Sequence, residues 1–243
     1  MHGWFPIFLR EAVIMRRRFW RMLASMAVSP LLYLIAFGYA LGGAEGGGQD
    51  YLGFLVPGLV AMSSMTQAWA IATDINVARF YWHVFEEFQA APVPNPAYVL
   101  GEVLAGMARA LLGVLVILVL GVAVGVRVSL GPWFWLAVGL NSFAFASLAV
   151  AMAMLVKSHA DQGMLSSFII TPMAFLGGTV FPLERLPGWA QALTEALPLT
   201  HASRAIRAAA LGQPAAPLPY LLLIGLGLVF FFLAVHSVNL ARE

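Results

Sequence analysis

The sequence has no cysteine and few charged residues. Without Cys, the 243-residue chain can form no disulfide bond and carry out no thiol chemistry. Charged residues make up only 10% of it and hydrophobic residues 61%, whereas an average soluble domain has about 25% charged residues. This composition is typical of a protein that works within a membrane.

Motifs of common catalytic and nucleotide-binding sites are also missing. The sequence has neither GxSxG nor HExxH, and its five histidines show no metal-ligand spacing. The only lysine, Lys157, precedes Ser158 but follows residues 153–156, which include no glycine, so there is no phosphate-binding P-loop. We expect no catalytic residue, no metal site and no bound ATP in this chain. The basic residues form no broad patch, so we expect no nucleic-acid partner.

Six long apolar stretches occupy most of the chain. A helix needs about 20 mostly apolar residues to cross a bilayer. Lipid also favours helices, because backbone polar groups there must pair within their own segment. The fold class is therefore all-α membrane protein, with one transmembrane domain over residues 1–243. The predicted spans are residues 22–41, 52–71, 98–124, 132–156, 164–180 and 218–241.

The distribution of arginine predicts the orientation. Five of the thirteen basic residues precede the first span: Arg10, Arg16, Arg17, Arg18 and Arg21. Positive charge is typical of the cytoplasmic side, and six crossings return the chain to that side, so both termini are expected in the cytoplasm. Aromatic and apolar residues share one face of residues 1–21, which predicts an interfacial amphipathic helix.

Residues 79–96 lie between the second and third predicted spans and read RFYWHVFEEFQAAPVPNP. The pattern predicts a short cytoplasmic helix with an aromatic face, ended by the proline run. Two interpretations are open: an interfacial aromatic belt, or a surface that docks another protein, since aromatic residues are enriched at binding hot spots. Composition alone slightly favours the belt.

Residues 181–217 are too polar and too rich in proline to form a span. They predict two short amphipathic helices joined at Pro198, lying on the outer surface or entering it as a re-entrant element. In the third span, Glu102 and Arg109 fall on one helical face. They can form ion pairs with each other or with neighbouring residues near the cytoplasmic interface, or they can form a proton relay. The first, fourth, fifth and sixth spans have no acid near their middles, which argues against a secondary transporter.

Uncharged polar residues occur within the first, second and fifth predicted spans. Seven of them are candidate residues of a substrate path: Ser29, Tyr33, Ser63, Thr66, Gln67, Ser167 and Thr171. Such side chains often form hydrogen bonds between helices instead, and from the sequence that interpretation ranks first.

The order of these features resembles the permease subunit of type-2 ABC exporters. Four motifs carry the resemblance: YLGFLVPGLVAMS at 51–63, EEFQAAPVP at 86–94, TPMAFLGGTVF at 171–181, and residues 197–212. The last segment matches the family pattern at Pro198, Leu199, Thr200, Arg207 and Gly212. Leu197 and His201 replace the usual Asn and Tyr.

The resemblance implies partners and roles. Two copies of a cytoplasmic ATPase subunit would bind ATP and Mg, and a second copy of this chain and membrane lipid would complete the assembly in a bacterial cytoplasmic (inner) membrane. Docking, now favoured over the aromatic belt, would place a coupling helix against the ATPase through Arg79, Phe85, Glu86, Glu87 and Phe88. The re-entrant outer segment would involve Gly177, Gly178, Pro198, Thr200 and Arg207.

The implied function is export of an amphiphilic, lipid-linked or glycan substrate. Two other functions stay open from the residues alone: an ion-gradient-driven secondary carrier acting as a dimer, and a membrane scaffold without transport.

Overall fold

The computed structural model describes residues 3–42, 48–82, 85, 93–156 and 158–241, without the side chains of 38–42, 48–50 and 185. These residues form helices and turns and no strand. The α-helices are α1 (Trp4–Arg17), α2 (Phe19–Gly42), α3 (Gly48–Trp69), α4 (Ile71–Phe80), α5 (Asn95–Ala123), α6 (Pro132–Leu155), α7 (His159–Leu165), α8 (Thr171–Leu176), α9 (Gly188–Glu195), α10 (Pro198–Ala210) and α11 (Pro217–Leu240). A π-helical turn, Ser166–Ile170, joins α7 to α8, and a 3₁₀ turn, Leu183–Arg185, precedes α9.

Long apolar helices confirm the predicted class. In the described part of the chain, five segments are long and apolar enough to cross a membrane: Phe19–Phe37, Tyr51–Phe80, Asn95–Ala123, Pro132–Leu155 and Pro217–Leu240. They correspond to predicted spans one to four and six. The all-helical membrane fold is confirmed, while the count of six crossings stays a prediction.

The fifth predicted span is not one continuous α-helix. The Thr171 amide bonds to the Ser166 carbonyl, five residues back, which gives the turn its π geometry. Pro172 follows at the start of α8, where its ring removes an amide donor and would clash with the carbonyl four residues earlier. Wider π geometry accommodates the proline without ending the helix.

Helices α3 to α6 form the centre of the molecule, with α2 and α11 outside them. Large side chains such as Leu59, Ile117 and Phe145 are fully buried between α3, α5 and α6. By contrast, α2 and α11 leave many apolar side chains exposed, including Leu32 and Phe232. This arrangement suits a bilayer, because apolar side chains on the periphery lose nothing by contacting acyl chains.

Helix α1 is fixed to α5 rather than lying apart from the bundle. Ile7 is buried, and a Cβ at Gly101 would lie 2.8 Å from both Ile7 Cβ and the Trp4 carbonyl oxygen. Only glycine therefore permits this approach of α1 to α5. On the opposite side of α1, Phe5 and Leu9 are exposed. The interfacial position of α1 stays a prediction.

Candidate functional site

A polar cavity lies between α2, α3, the π-helical turn and α8. It has a volume of about 370 Å³, and it brings together six of the seven predicted path residues: Ser29, Tyr33, Ser63, Thr66, Gln67 and Thr171. Ser25 adds a further hydroxyl group to the lining. Ser167, the seventh path residue, is exposed on the π-helical turn and does not line the cavity.

The hydroxyl groups of this cavity do not connect neighbouring helices. Thr66 Oγ1 donates to the Ser63 carbonyl at 3.3 Å and Thr171 Oγ1 to the Ser166 carbonyl at 3.3 Å, both within the same segment. None of the seven predicted path residues has a side-chain hydrogen bond to another span in the described part of the chain. These groups therefore face the cavity with bonding capacity to spare, and their role in transport stays a prediction.

Aromatic rings and a glycine shape the cavity. Tyr33 stacks on Phe37 with ring centroids 5.9 Å apart and meets Phe175 of α8 edge-on at 6.3 Å. On α5, a Cβ at Gly113 would lie 2.7 Å from Gln67 Cγ and 2.8 Å from Ser63 Oγ. The missing side chain at Gly113 therefore leaves room for these two polar groups.

Two hydrogen bonds near the cavity join α3 and α4 to the π-helical turn and α7. Trp69 Nε1, at the end of α3, donates to Ser166 Oγ at 2.8 Å, at the start of the π-helical turn. Asn76 Nδ2 donates to Gln162 Oε1 at 3.2 Å, and both residues are buried. The turn at Ala70 between α3 and α4 is thus flanked by bonds to the α7 segment and to the π-helical turn in the fifth predicted span.

The first part of the predicted coupling segment contacts its own chain. Arg79 Nη1 donates to the carbonyls of Ala153 and Met154 at 3.2 and 2.8 Å, which satisfies free carbonyl groups at the end of α6. Phe85 is buried edge-on against Tyr98, with ring centroids 5.7 Å apart. Both side chains thus stabilise this bundle.

Other members of the coupling segment differ in exposure. Tyr81 and Trp82 are exposed at its beginning. Glu86, Glu87 and Phe88 lie outside the described residues. Docking of an ATPase through this segment therefore stays a prediction.

In the third span, Arg109 pairs with a neighbouring residue, which is one of the ion pairs that the sequence allows. Arg109 Nη1 binds Asp74 Oδ2 at 2.5 Å and so pairs with α4, not with Glu102. Glu102 is buried, and one of its carboxylate oxygens has no hydrogen-bond partner among the described residues. Nearby on α1, burial raises the pKa of Glu11, and the Arg10 guanidinium, 2.6 Å away, opposes that shift.

Three of the four motifs meet at a contact that we call the glycine junction, formed by residues 51–58 of α3, 177–180 after α8, and 203–207 of α10. Gly58 packs on the backbone of Thr179 so closely that an added Cβ would lie 1.8 Å from its carbonyl oxygen. Tyr51 donates its hydroxyl to the Val180 carbonyl at 2.8 Å. Gly178, whose φ is +67°, adopts a left-handed conformation that favours glycine.

Helix α10 completes the glycine junction through two polar side chains. Ser203 Oγ donates to the Gly177 carbonyl at 2.6 Å, and Arg207 Nη2 to the Gly178 carbonyl at 2.8 Å. The Arg207 guanidinium also lies 3.7 Å from the centre of the Phe54 ring. Burial lowers the pKa of Arg207 to about 10, so it stays charged at neutral pH.

Helices α9 and α10 lie in the segment for which the sequence predicts two short helices joined at Pro198. Helix α10 begins with Pro198, which fits the first turn because its missing amide needs no partner there. Thr200 Oγ1 donates to the Thr194 carbonyl at 2.6 Å and holds α10 to the end of α9. Arg204 Nη1 binds Glu195 Oε2 at 2.8 Å, and this hydrogen bond lowers the pKa of Glu195. Placement of these helices relative to the bilayer stays a prediction.

Comparison with known proteins places this arrangement in a family. The sequence pattern of the ABC-2 type transporter membrane domain matches residues 5–211, most of the chain. The chain belongs to the ABC-2 type transporter family.

Named relatives in this family are permeases. The inner membrane transport permease YadH of Escherichia coli K12 is 31% identical over 209 residues, covering 83% of this chain and 81% of YadH. Nodulation protein J of Neorhizobium galegae is 32% identical over 217 residues, covering 85% and 83%. The daunorubicin resistance ABC transporter permease protein DrrB1 of Streptomyces coeruleorubidus is 26% identical over 208 residues, covering 82% and 72%.

Membership of the ABC-2 family makes the chain a membrane subunit of an ABC transporter, a class in which a separate subunit is the ATPase. The family match also covers the cavity and the glycine junction, which both lie between residues 5 and 211. The sequence did not point to Trp69, Asn76 or Gln162 as functional residues. These side chains are polar or amphipathic and lie near the ends of apolar stretches. Their role can be recognised only when the structure shows that these ends contact each other.

Proposed function

We propose that this chain is the permease subunit of an ATP-driven exporter, which moves an amphiphilic, lipid-linked or glycan substrate out of the cytoplasm. The observation that carries the proposal is the polar cavity between α2, α3 and α8 in an ABC-2 membrane domain. A cytoplasmic ATPase subunit, in two copies, binds ATP and Mg and drives the movement. The permease itself supplies the path and no chemical step.

A second copy of the chain fits against α2 and the segment from α7 to α8. Both elements border the cavity and present exposed apolar side chains, including Val28 and Ile35 on α2 and Phe168 and Leu176 on the other segment. A partner permease that covers these side chains would convert two open cavities into one enclosed path. Membrane lipid contacts the remaining apolar periphery, mainly α5 and α11.

The orientation follows from the arginine-rich start of the chain. Arg16, Arg17 and Arg21 are exposed near the junction of α1 and α2, and positive charge of this kind stays in the cytoplasm. We place the protein in the bacterial inner membrane, which the name of the relative YadH also gives for that protein. Six crossings, with the α7–α8 segment as the fifth, then put both termini in the cytoplasm.

The contacts below the cavity offer a route from the ATPase to the substrate. The coupling segment continues directly from α4, so its movement would displace α4. Arg79 of α4 would carry the movement to the end of α6, to which it is hydrogen-bonded. Trp69, the last residue of α3, would transmit that movement to Ser166 through its hydrogen bond. A π-helical turn is a local irregularity where a helix can change shape, so α8 could move and open or close the cavity.

The coupling role is tested by replacing Glu86, Glu87 and Phe88 together with Gln, Gln and Ala, while the buried Phe85 is retained. If these side chains bind the ATPase, losing a cluster of interface hot spots worth about 2 kcal/mol or more should reduce co-purification and ATP-driven transport at least about tenfold. Co-purification of the two subunits and transport by the reconstituted complex are the measurements.

The matched control for this triple variant is Glu184→Gln, which removes an exposed acid on the predicted outer side. We expect it to retain both subunits and full transport. Unchanged ATP-driven transport by the triple variant would refute the coupling role of this segment.

A further inference from the structure

We infer that the polar cavity selects an uncharged headgroup, so that the exported amphiphile carries hydroxyl or amide groups and no phosphate, carboxylate or ammonium. The inference rests on the proposed function, because it names the class of cargo that the same site accepts. The cavity lining carries no charged side chain: none of the described residues that line it is Asp, Glu, Lys, Arg or His.

The polar groups of the lining are hydroxyls and one amide. A hydroxyl both donates and accepts hydrogen bonds, and the Gln67 amide adds two donors and an acceptor. Ser29, Tyr33, Ser63 and Gln67 have no side-chain hydrogen bond within the described part of the chain. A sugar or amide headgroup presents the same mixture of donors and acceptors, so it can satisfy these groups without leaving a charge unpaired.

A charged headgroup would find no partner here. Burial of an ion without a counter-charge costs several kcal/mol or more. Charged side chains discussed above already have partners outside the cavity. Asp74 pairs with Arg109, Arg79 binds carbonyls of α6, and Arg207 binds the Gly178 carbonyl. Either sign of charge on the cargo would therefore weaken its entry into the cavity.

The rest of the cavity suits the apolar part of an amphiphile. Met26, Met62, Ile170 and Phe175 line it beside the hydroxyl groups, and methionine adapts readily to different apolar shapes. Its volume of about 370 Å³ falls within the range of about 300–1,000 Å³ typical of small-molecule sites. Ser25 and Ser29 are exposed on α2, so the cavity of the single chain is open on the side where the proposed second copy would lie.

Three photoreactive probes with one alkyl chain test the inference on the permease alone in lipid nanodiscs. Each probe carries the same diazirine-bearing dodecyl chain, and the headgroups are β-D-glucoside, phosphate and trimethylammonium. Labelling of the peptides that contain Met26 and Met62 is quantified by mass spectrometry after irradiation. We expect the glucoside to label these peptides at least about tenfold more than either charged probe, which corresponds to about 1.4 kcal/mol.

A charge introduced into the lining should reverse the selectivity. Gln67→Glu changes the amide to a carboxylate of the same shape, so labelling by the trimethylammonium probe should rise and labelling by the glucoside should fall. Gln213→Glu, at an exposed position between α10 and α11, introduces the same charge away from the cavity and should leave the order unchanged. Ser29→Asp makes the same test from α2 if Gln67→Glu yields no monodisperse protein.

Equal labelling of these peptides by the three probes, or a preference for a charged headgroup, would overturn the inference. The same holds if both Gln67→Glu and Ser29→Asp leave the order of the probes unchanged. This experiment needs no ATPase, so failure of ATP coupling would not alter its result. Conversely, loss of selectivity would leave the ATP-driven mechanism standing.

Discussion

Replacement of Gly58 with alanine is expected to cause the largest loss of stability in the permease. Its Cβ would lie 1.8 Å from the carbonyl oxygen of Thr179 and 2.7 Å from the carbonyl carbon. Both atoms belong to the backbone, so no side-chain rotation can relieve the overlap, and α3 would have to separate from the segment after α8. We expect a destabilisation of about 3 kcal/mol or more, at the upper end for overpacked cores. Size-exclusion profile and thermal unfolding in detergent measure it.

Gly53→Ala is the matched control on the same helix. A Cβ at Gly53 would meet nothing within 4 Å, and alanine favours a helix by up to about 1 kcal/mol over glycine. This variant should therefore be as stable as the parent protein or slightly more stable. If Gly58→Ala unfolds at the same temperature as Gly53→Ala, the close contact between α3 and Thr179 is wrong.

Replacement of Arg207 with glutamine should give the second-largest loss of stability. The change removes a charged donor from the Gly178 carbonyl and a cation from the face of Phe54. A hydrogen bond from a charged group contributes about 1.5–3 kcal/mol, and a cation–π contact adds about 1 kcal/mol. We expect a loss of about 3 kcal/mol, measured by thermal unfolding, together with reduced transport because the glycine junction positions α8.

Arg204→Gln serves as the control for Arg207. It lies one turn earlier on α10, is exposed, and pairs with the exposed Glu195. Exposed ion pairs contribute at most about 1 kcal/mol, so this variant should unfold close to the parent protein. Similar losses in both variants would contradict the stabilising role of Arg207 in the glycine junction.

The spans were predictable because hydrophobicity along the sequence depends on no other part of the fold. Helix α6 lies within one residue of its predicted stretch, 132–156. The π-helical turn was not predictable in this way. Pro172 signals an irregularity, but the choice of π geometry over a kink depends on how Ser166 meets Trp69 from another helix.

Polar residues were harder to interpret, since their partners lie far away in the sequence. Arg79 and Phe85 look like surface residues in an aromatic, acidic segment, yet the structure places them against α6 and Tyr98. From the sequence, seven hydroxyl and amide residues were candidates for a substrate path, but hydrogen bonding between helices ranked first. Six of them line one cavity between α2, α3, the π-helical turn and α8.

The motifs of the sequence gain a physical explanation from the glycine junction. Residues 51–63, 171–181 and 197–212 are separated by long stretches of chain, and nothing in their spacing shows that they touch. In the structure, Gly58, Gly178 and Arg207 bring them together through backbone contacts and a charged hydrogen bond. Glycine and arginine are therefore required there by close approach and by a free carbonyl group.

Transport by the reconstituted complex is the measurement that tests the central claim most directly. Proteoliposomes would contain the permease with or without its ATPase subunit, and movement of a fluorescent dodecyl glucoside would be followed with ATP, without ATP, and after ionophores abolish ion gradients. Transport that needs both subunits and ATP hydrolysis, and continues after ionophore addition, is the predicted result. Transport by the permease alone, driven by a proton or sodium gradient without ATP, would contradict it.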